Sequence, residues 1–398
     1  MVDLTHIIDK QARPYEPPQE ALETSPKRFS ATPYSWIDPA AIPRREWLYG
    51  RHLIRKFVSV TIAPGGIGKS AKLIVEALAM ATGRPLLGPW PCGALRVWLW
   101  NLEDPYDELQ RRIQAACQHY GLTEAGIGDR LFVDSGRDQE LCMAIIDRKG
   151  GPEILRPVVE NLIAEIREKQ IDVLIVDPFV SSHKVTENDN VAMDMVAKEW
   201  GRVADRTSTA IELVHHTRKL GGDTEATAES GRGAKALVDA ARDVRVLNRM
   251  TPSEAAKAGV ENHRLFFRAY SDKGNLAPPA DQSAWHKLEN VTLANGDEIG
   301  VVTPWQWPDP FDDITVEDLK AVQNAIGDRQ LRENSQAKDW AGYTIAEVLG
   351  MDAEDKADRA KIKACLKTWT ENGALKCVYL EDEKGQRRPF LEVGEWAE

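Results

Sequence analysis

Cysteine is scarce: Cys92, Cys117, Cys142, Cys365 and Cys377 are all that 398 residues carry, with no CxxC and no histidine partner at metal spacing. That argues against a disulfide framework or a zinc module and points to reduced thiols in a cytoplasm. Long apolar runs are missing too; none reaches the ~20 residues that span a bilayer, so no membrane role is expected. The opening "MVDLTHIIDKQARPYEPPQEALETSPKRF" has no long apolar stretch and no small-residue cleavage site. It reads as a disordered or loosely docked tail rather than a signal peptide. Positive charge is short as well. At a net charge of −11, the surface as a whole does not attract nucleic acid, so any such binding needs a local basic patch or pore. There is no internal repeat. The length suits about two or three domains.

What is present is concentrated between Val58 and Ala81, "VSVTIAPGGIGKSAKLIVEALAMA". A β-branched apolar run leads through a glycine-rich loop to Lys-Ser and a helical pattern. The phosphate-loop pattern is Gly, four residues, then Gly-Lys-Ser/Thr. Its first glycine is replaced by Ala63. That position mainly eases the strand-to-loop turn, and alanine is the smallest substitute. A phosphate cradle needs inward backbone N–H groups, a helix N-terminus and one mobile cation. Pro64, Gly65, Gly66, Ile67, Gly68, Lys69, Ser70 and Ala71 are therefore the candidate ATP-binding residues. Lys69 would reach the β- and γ-phosphates, and the Ser70 hydroxyl would ligate Mg²⁺. The bland reading is a Gly-rich turn before an ordinary helix. A strand ending at the loop and a helix opened by Lys-Ser argue against it.

From Phe57 to about Met250, strands alternate with amphipathic segments such as "DELQRRIQAACQHYG" and "EILRPVVENLIAEIREKQ". Strands are expected at 57–63, 96–103, 131–135, 171–177, 210–216 and 243–248. That alternation predicts an α/β fold with a mostly parallel sheet covered on both faces. The expected division is a tail and strap over 1–44, an ATPase domain over 45–310 whose core ends near 250 before a β-rich extension, and a distinct segment over 311–398. "ANGDEIGVV" is a hairpin candidate and "WPDPFDD" a linker.

"IDVLIVDP" ends an apolar strand in Asp177, the Walker B pattern, placing a carboxylate in the shell of the Mg²⁺ held by Ser70. Pro178 follows, where many ATPases place a catalytic glutamate. "RVWLWNLEDP" supplies another acid: strand ends line the crevice of an open parallel sheet, so Glu103 can orient water. Asp104, before Pro105, reads as a helix cap. "AIELVHHTRK" ends at the same edge, making His216 or Thr217 a candidate γ-phosphate sensor; a structural histidine is the alternative. The polar loop after it carries Arg218, Lys219, Arg232 and Lys235. Arg242 closes "GRGAKALVDAAR", with Arg245 just beyond.

"APGGIGKS", "NLEDP", "DRLFVDSGRD", "VLIVDP", "LVHHTRK" and "GRGAKALVDAAR" occur in family order over about 45–250. Together they resemble the RepA-type hexameric helicases of the RecA-like ATPase superfamily, and the AAA family ATPases of phages and mobile elements. The resemblance implies a RecA-like P-loop NTPase core, a ring of subunits and ATP at each interface. It implies Glu103 as general base, His216 as γ-phosphate sensor and Arg242 as a finger reaching the neighbour's ATP; Lys69 is a catalytic candidate from the motif itself, and Arg232 and Arg245 are fallback candidates for the finger. Loop 218–232 would face a central pore and touch single-stranded DNA, with Arg218, Lys219 and Arg232 on it and Lys235 just beyond as candidate contacts. The activity implied is a DNA helicase or translocase of replication or recombination. The alternative is an ATP-switched DNA- or protein-binding regulator that hydrolyses slowly.

The C-terminal segment reads as helix, helix, strand, turn, strand and resembles a winged helix. Ile362, Cys365, Leu366 and Trp369 form a helical stripe. Arg359, Lys361, Lys363 and Lys367, with Lys384, Arg387 and Arg388 on the wing, would contact DNA phosphates or face a protein partner.

Overall fold

The computed structural model describes residues 30–218, 224–231, 233, 235–274, 276, 283–308, 311, 313–327, 329–381 and 386–397. The chain divides into a unit of residues 1–44 and a unit of residues 45–398. In the first, the described part has a single short 3-10 turn, Pro39–Ala41, capped by the Asp38 carboxylate.

The second unit opens with a small antiparallel pair, β1 (Trp47–Tyr49) and β2 (Leu53–Ile54). The α/β core follows: β3 (Val58–Ala63), α1 (Lys69–Thr82), β4 (Val97–Asn101), α2 (Tyr106–Tyr120), the short α3 (Glu124–Ile127) and β5 (Leu131–Ser135). A short hairpin, β6 (Ala144–Ile146) and β7 (Pro152–Ile154), precedes α4 (Arg156–Glu168). Next come β8 (Val173–Asp177), α5 (Asn190–Thr207), β9 (Ala210–His216), α6 (Lys235–Ala240), β10 (Asp243–Arg249) and α7 (Pro252–Ala258). The extension is β11 (Phe266–Gly274), β12 (Ala284–Thr292) and β13 (Glu298–Trp305).

These strands form one nine-stranded sheet in the order β13-β12-β11-β10-β3-β9-β8-β4-β5. From β10 to β5 every pairing is parallel, and β11 to β13 join antiparallel. Strand residues alternate between two cores. Val60, Ile62, Leu174, Val176, Ile211 and Leu213 face the side packed with α4, α5 and α6. Ala63, Leu99, Val173, Ile175 and Val214 face α1 and α2. Apolar residues on both faces are what a parallel strand covered on both sides requires. The β12–β13 hairpin closes over α1 and α2: Tyr120 donates to the Val302 carbonyl at 2.7 Å, and Arg111 pairs with Asp297 at 2.9 Å.

The C-terminal segment contains α8 (Val316–Gly327), β14 (Leu331–Arg332), α9 (Ala341–Leu349), α10 (Lys356–Glu371), β15 (Leu375–Glu381) and β16 (Arg387–Val393). Its own sheet runs β14-β16-β15 around a separate apolar core that includes Ile345, Ile362, Cys365 and Trp369. The sequence reading had missed α8 and β14. Gly259, at φ +65°, leaves room for α10, since a Cβ there would meet Ala357 at the start of that helix, and α10 packs against α7. Among the described residues, no helix is long and apolar enough to cross a membrane.

Candidate nucleotide site

The phosphate loop leaves β3 after buried Ala63 and enters α1 through Gly68, which sits at φ +100°. A left-handed backbone there is strained for any side chain, and an added Cβ would also meet Leu288 at 3.2 Å. Gly66 is at φ +69°, and Cβ atoms built on Gly65 or Gly66 would meet nothing within 4 Å. No side chain caps α1, so its first N–H groups point into the loop. An open, uncapped cradle of this kind suits an anion.

Three strand ends bring chemistry to that cradle. Lys69 is buried; its Nζ lies 3.1 Å from His216 Nε2 at the end of β9 and 3.2 Å from Asp177 Oδ1 at the end of β8. Ser70 Oγ donates to Asp177 Oδ2 at 2.6 Å. A hydroxyl and a carboxylate 2.6 Å apart, beside a phosphate cradle, form a donor set that fits Mg²⁺. The Asp177–Pro178 peptide is cis. Glu103 lies just past β4, whose Asn101 is in register with Asp177. Partial burial raises the Glu103 pKa; Lys69 pulls it down, while Asp177 and Asp104 push it up, and the net shift is upward.

The turn at Glu103 is held from several sides. Asn101 Oδ1 accepts from the N–H groups of Glu103 and Asp104 at 2.9 and 2.7 Å. Arg137 Nε donates to the Glu103 carbonyl at 2.7 Å. Asp104 does not cap α2, contrary to the sequence reading. The helix begins after Pro105 without a side-chain cap, and Asp104 instead pairs with Arg112 at 2.8 Å.

The remaining candidates spread out. Arg218 is exposed, and its N–H donates to the Ser230 carbonyl at 2.9 Å. Lys235 opens α6 with its side chain in solvent. Lys219 and Arg232 lie outside the described residues, as does Lys384. Residues 224–231 are tied down: Asn248 holds both the N–H and the carbonyl of Ala226, at 2.8 and 2.9 Å, and Ala228 N–H donates to Asp272 at 2.5 Å. Arg242 stands over the Phe57 ring at 5.6 Å, and its N–H donates to the Val58 carbonyl. That is the end of the sheet opposite the phosphate loop.

Arg245 is no fallback finger. It is buried, grips Glu76 of α1 through two bonds of 2.6 and 2.5 Å, and donates to Thr61 at 2.7 Å. This web was not foreseen. Glu212 of β9 lies 3.7 Å from Arg245 and 2.5 Å from His52, and His52 also contacts Asp243. Lys72 pairs with Glu76. Burial opposes charge on Glu76, yet Arg245 and Lys72 outweigh it and hold the carboxyl well below the usual carboxylate range. Burial and Arg245 together bring Lys72 down to about 8. Buried charges survive only when paired in this way, so the web fixes α1 to β3, β9 and β10.

Arg249 was also missed. At the last position of β10, its Nη2 donates to the Gly66 carbonyl at 2.7 Å.

In the C-terminal segment, Arg359 is not a free surface cation: it lies over Trp340 at 4.7 Å and donates to the Ala353 and Ser335 carbonyls. Lys361 is 3.7 Å from Asp313, and Lys363 is exposed.

Residues 23–222 match the family model described as AAA domain. Among solved structures, the chain is similar to one titled "Crystal structure of the RadB recombinase". Identity there is 12% and the TM-score 0.38, over 59% of this chain and 88% of that one, too loose a likeness to carry an inference. No curated protein matches.

Proposed function

The chain belongs to the AAA domain family, and on that premise we propose that it is an ATP-hydrolysing motor of the RecA-like, RepA-type class that acts on DNA as a ring of subunits. The observation that carries the reading is the convergence of Lys69, Ser70, Asp177, His216 and Glu103 at the carboxyl ends of neighbouring parallel strands, on an open helix N-terminus. Gly65, Gly66 and Gly68, with Pro64, Ile67 and Ala71 around them, hold the phosphates of ATP, and Ser70 and Asp177 hold Mg²⁺. The metal, when bound, neutralises phosphate charge. Lys69, engaged with Asp177 and His216, is placed to move onto the terminal phosphates. Glu103 orients the attacking water, and its raised pKa suits a base. His216 reports the γ-phosphate to the loop that begins at Arg218, the proposed contact with single-stranded DNA.

The order helix, strand, helix, helix, strand, strand in the C-terminal segment supports a winged-helix module. One observation favours the second reading, a slow ATP-switched regulator: α10, the helix that would enter DNA, packs its start against α7.

ATPase assays with and without single-stranded DNA separate the two. Turnover stimulated by DNA and abolished by Lys69→Ala is expected. Hydrolysis unchanged in Lys69→Ala would remove the site assignment, and a slow rate indifferent to DNA would favour the regulator.

A further inference from the structure

We propose that Arg249 is a catalytic residue acting in cis, with its guanidinium contacting the terminal phosphate of the nucleotide held by its own subunit's loop. The inference rests on the reading of that loop as an ATP site and adds a residue to it.

The placement follows from strand lengths. β10 pairs in parallel with β3 from Asp243↔Ser59 to Val246↔Ile62. β3 ends at Ala63, but β10 continues through Leu247 and Asn248 to Arg249. At about 3.3 Å per residue, those three residues carry the strand ~10 Å beyond its last paired position, alongside the phosphate loop. Side chains alternate along a strand, so Arg249 shares a face with Arg245. That is the face covered by α1, whose N-terminus opens at the loop.

The chemistry fits the placement. A guanidinium has five N–H donors. Arg249 spends one on the Gly66 carbonyl, and no carboxylate pairs with it among the described residues. It is exposed, unlike its neighbour Asn248. An unneutralised cation fixed to the loop, with donors to spare, is arranged to receive an anion seated in that loop. Asn248, pointing to the other face, clasps Ala226 in the segment after β9. One strand end thus holds both the phosphate loop and, at Ala226, the proposed DNA loop.

The test compares wild type, Arg249→Ala, Arg249→Lys and Lys69→Ala by steady-state ATP turnover and by fluorescence titration with N-methylanthraniloyl-ADP. Removing one preorganised donor to developing charge typically costs about 10²–10³-fold in turnover. That loss is expected in Arg249→Ala, with ADP affinity within about threefold of wild type and partial recovery in Arg249→Lys. Trapping of ADP with aluminium fluoride, a mimic of the transferring phosphate, should be lost in parallel. Wild-type turnover in Arg249→Ala, while Lys69→Ala is inactive, overturns the proposal and leaves the site reading intact. Equal loss of ADP affinity and turnover also overturns it, because Arg249 would then only brace Gly66. A wild type that does not hydrolyse ATP, or a Lys69→Ala variant as active as wild type, removes the site reading and this proposal with it.

Discussion

Glu103 and Asp104 are sequence neighbours in different electrostatic surroundings. Asp104 is neutralised by Arg112, whereas Glu103 faces the charges of Lys69 and Asp177. Glu103→Gln should therefore still bind ATP but turn it over about 10²–10⁴-fold more slowly, as checked by single-turnover hydrolysis beside nucleotide titration. Near-normal turnover would take the base role away from it. His52 carries a second residue-scale expectation. Burial and Arg245 push its pKa down, but Glu212 and Asp243 outweigh them and it ends above its ordinary 6.5. A raised pKa means the folded protein holds a proton that the unfolded chain has lost, so the stabilisation is complete below pH 6.5 and fades as pH rises through the folded value. In urea unfolding, the advantage of wild type over His52→Gln should shrink on going from pH 6 to pH 9. Lys72, lowered to about 8, acts in the opposite sense above that pH. It is present in both proteins and cancels in the comparison. An advantage that grows with pH would contradict the charged imidazole.

Gly136 shows how one element sets another's chemistry. A Cβ there would lie 2.7 Å from Leu102 Cα and 3.0 Å from the Leu102 carbonyl oxygen, both backbone atoms that cannot swing aside. Gly136→Ala should cost about 1–3 kcal/mol, as overpacking does, measured by the urea midpoint. It should also slow turnover by displacing the adjacent Glu103; an unaffected rate would show that the turn absorbs the shift. The parallel strands were legible because continuous apolar residues leave few alternatives. β5 and β9 match their expected spans, and β3 differs by one residue. The helix α8 was not legible, because its buried stripe includes Gln323. That side chain is satisfied internally by the Ala374 and Glu395 carbonyls at 3.0 and 2.8 Å, and it breaks the apolar period. Arg249 is not legible in the pattern, because the expected strand stops at 248, one residue short of it. Its role depends on β10 outlasting β3, a register that one chain's sequence does not display.

At the scale of the whole molecule, Arg242 and the phosphate loop occupy opposite ends of β3. Six residues at about 3.3 Å each put them ~20 Å apart along the strand, beyond the reach of one side chain. If Arg242 is a finger, it serves a neighbour. Mixing Arg242→Ala subunits with Lys69→Ala subunits should then restore some hydrolysis, since part of the interfaces would pair an intact arginine with an intact lysine. A mixture as inactive as its parents, once mixed assemblies are demonstrated by mass, would exclude the trans role. Arg249, acting in cis, should show no such complementation with Lys69→Ala.

Leu288 and Phe267 fill the space that a Cβ on Gly68 would occupy. The loop residues leave the ribosome early, but the side chains that pack against Gly68 follow about two hundred residues later, and Val301 and Val302 of the same core later still. A nascent chain halted near Met250 would have the phosphate loop yet lack the wall that shapes it, and the β10 edge would wait unpaired for β11. The wall around Gly68 is therefore complete only once β11 and β12 have emerged.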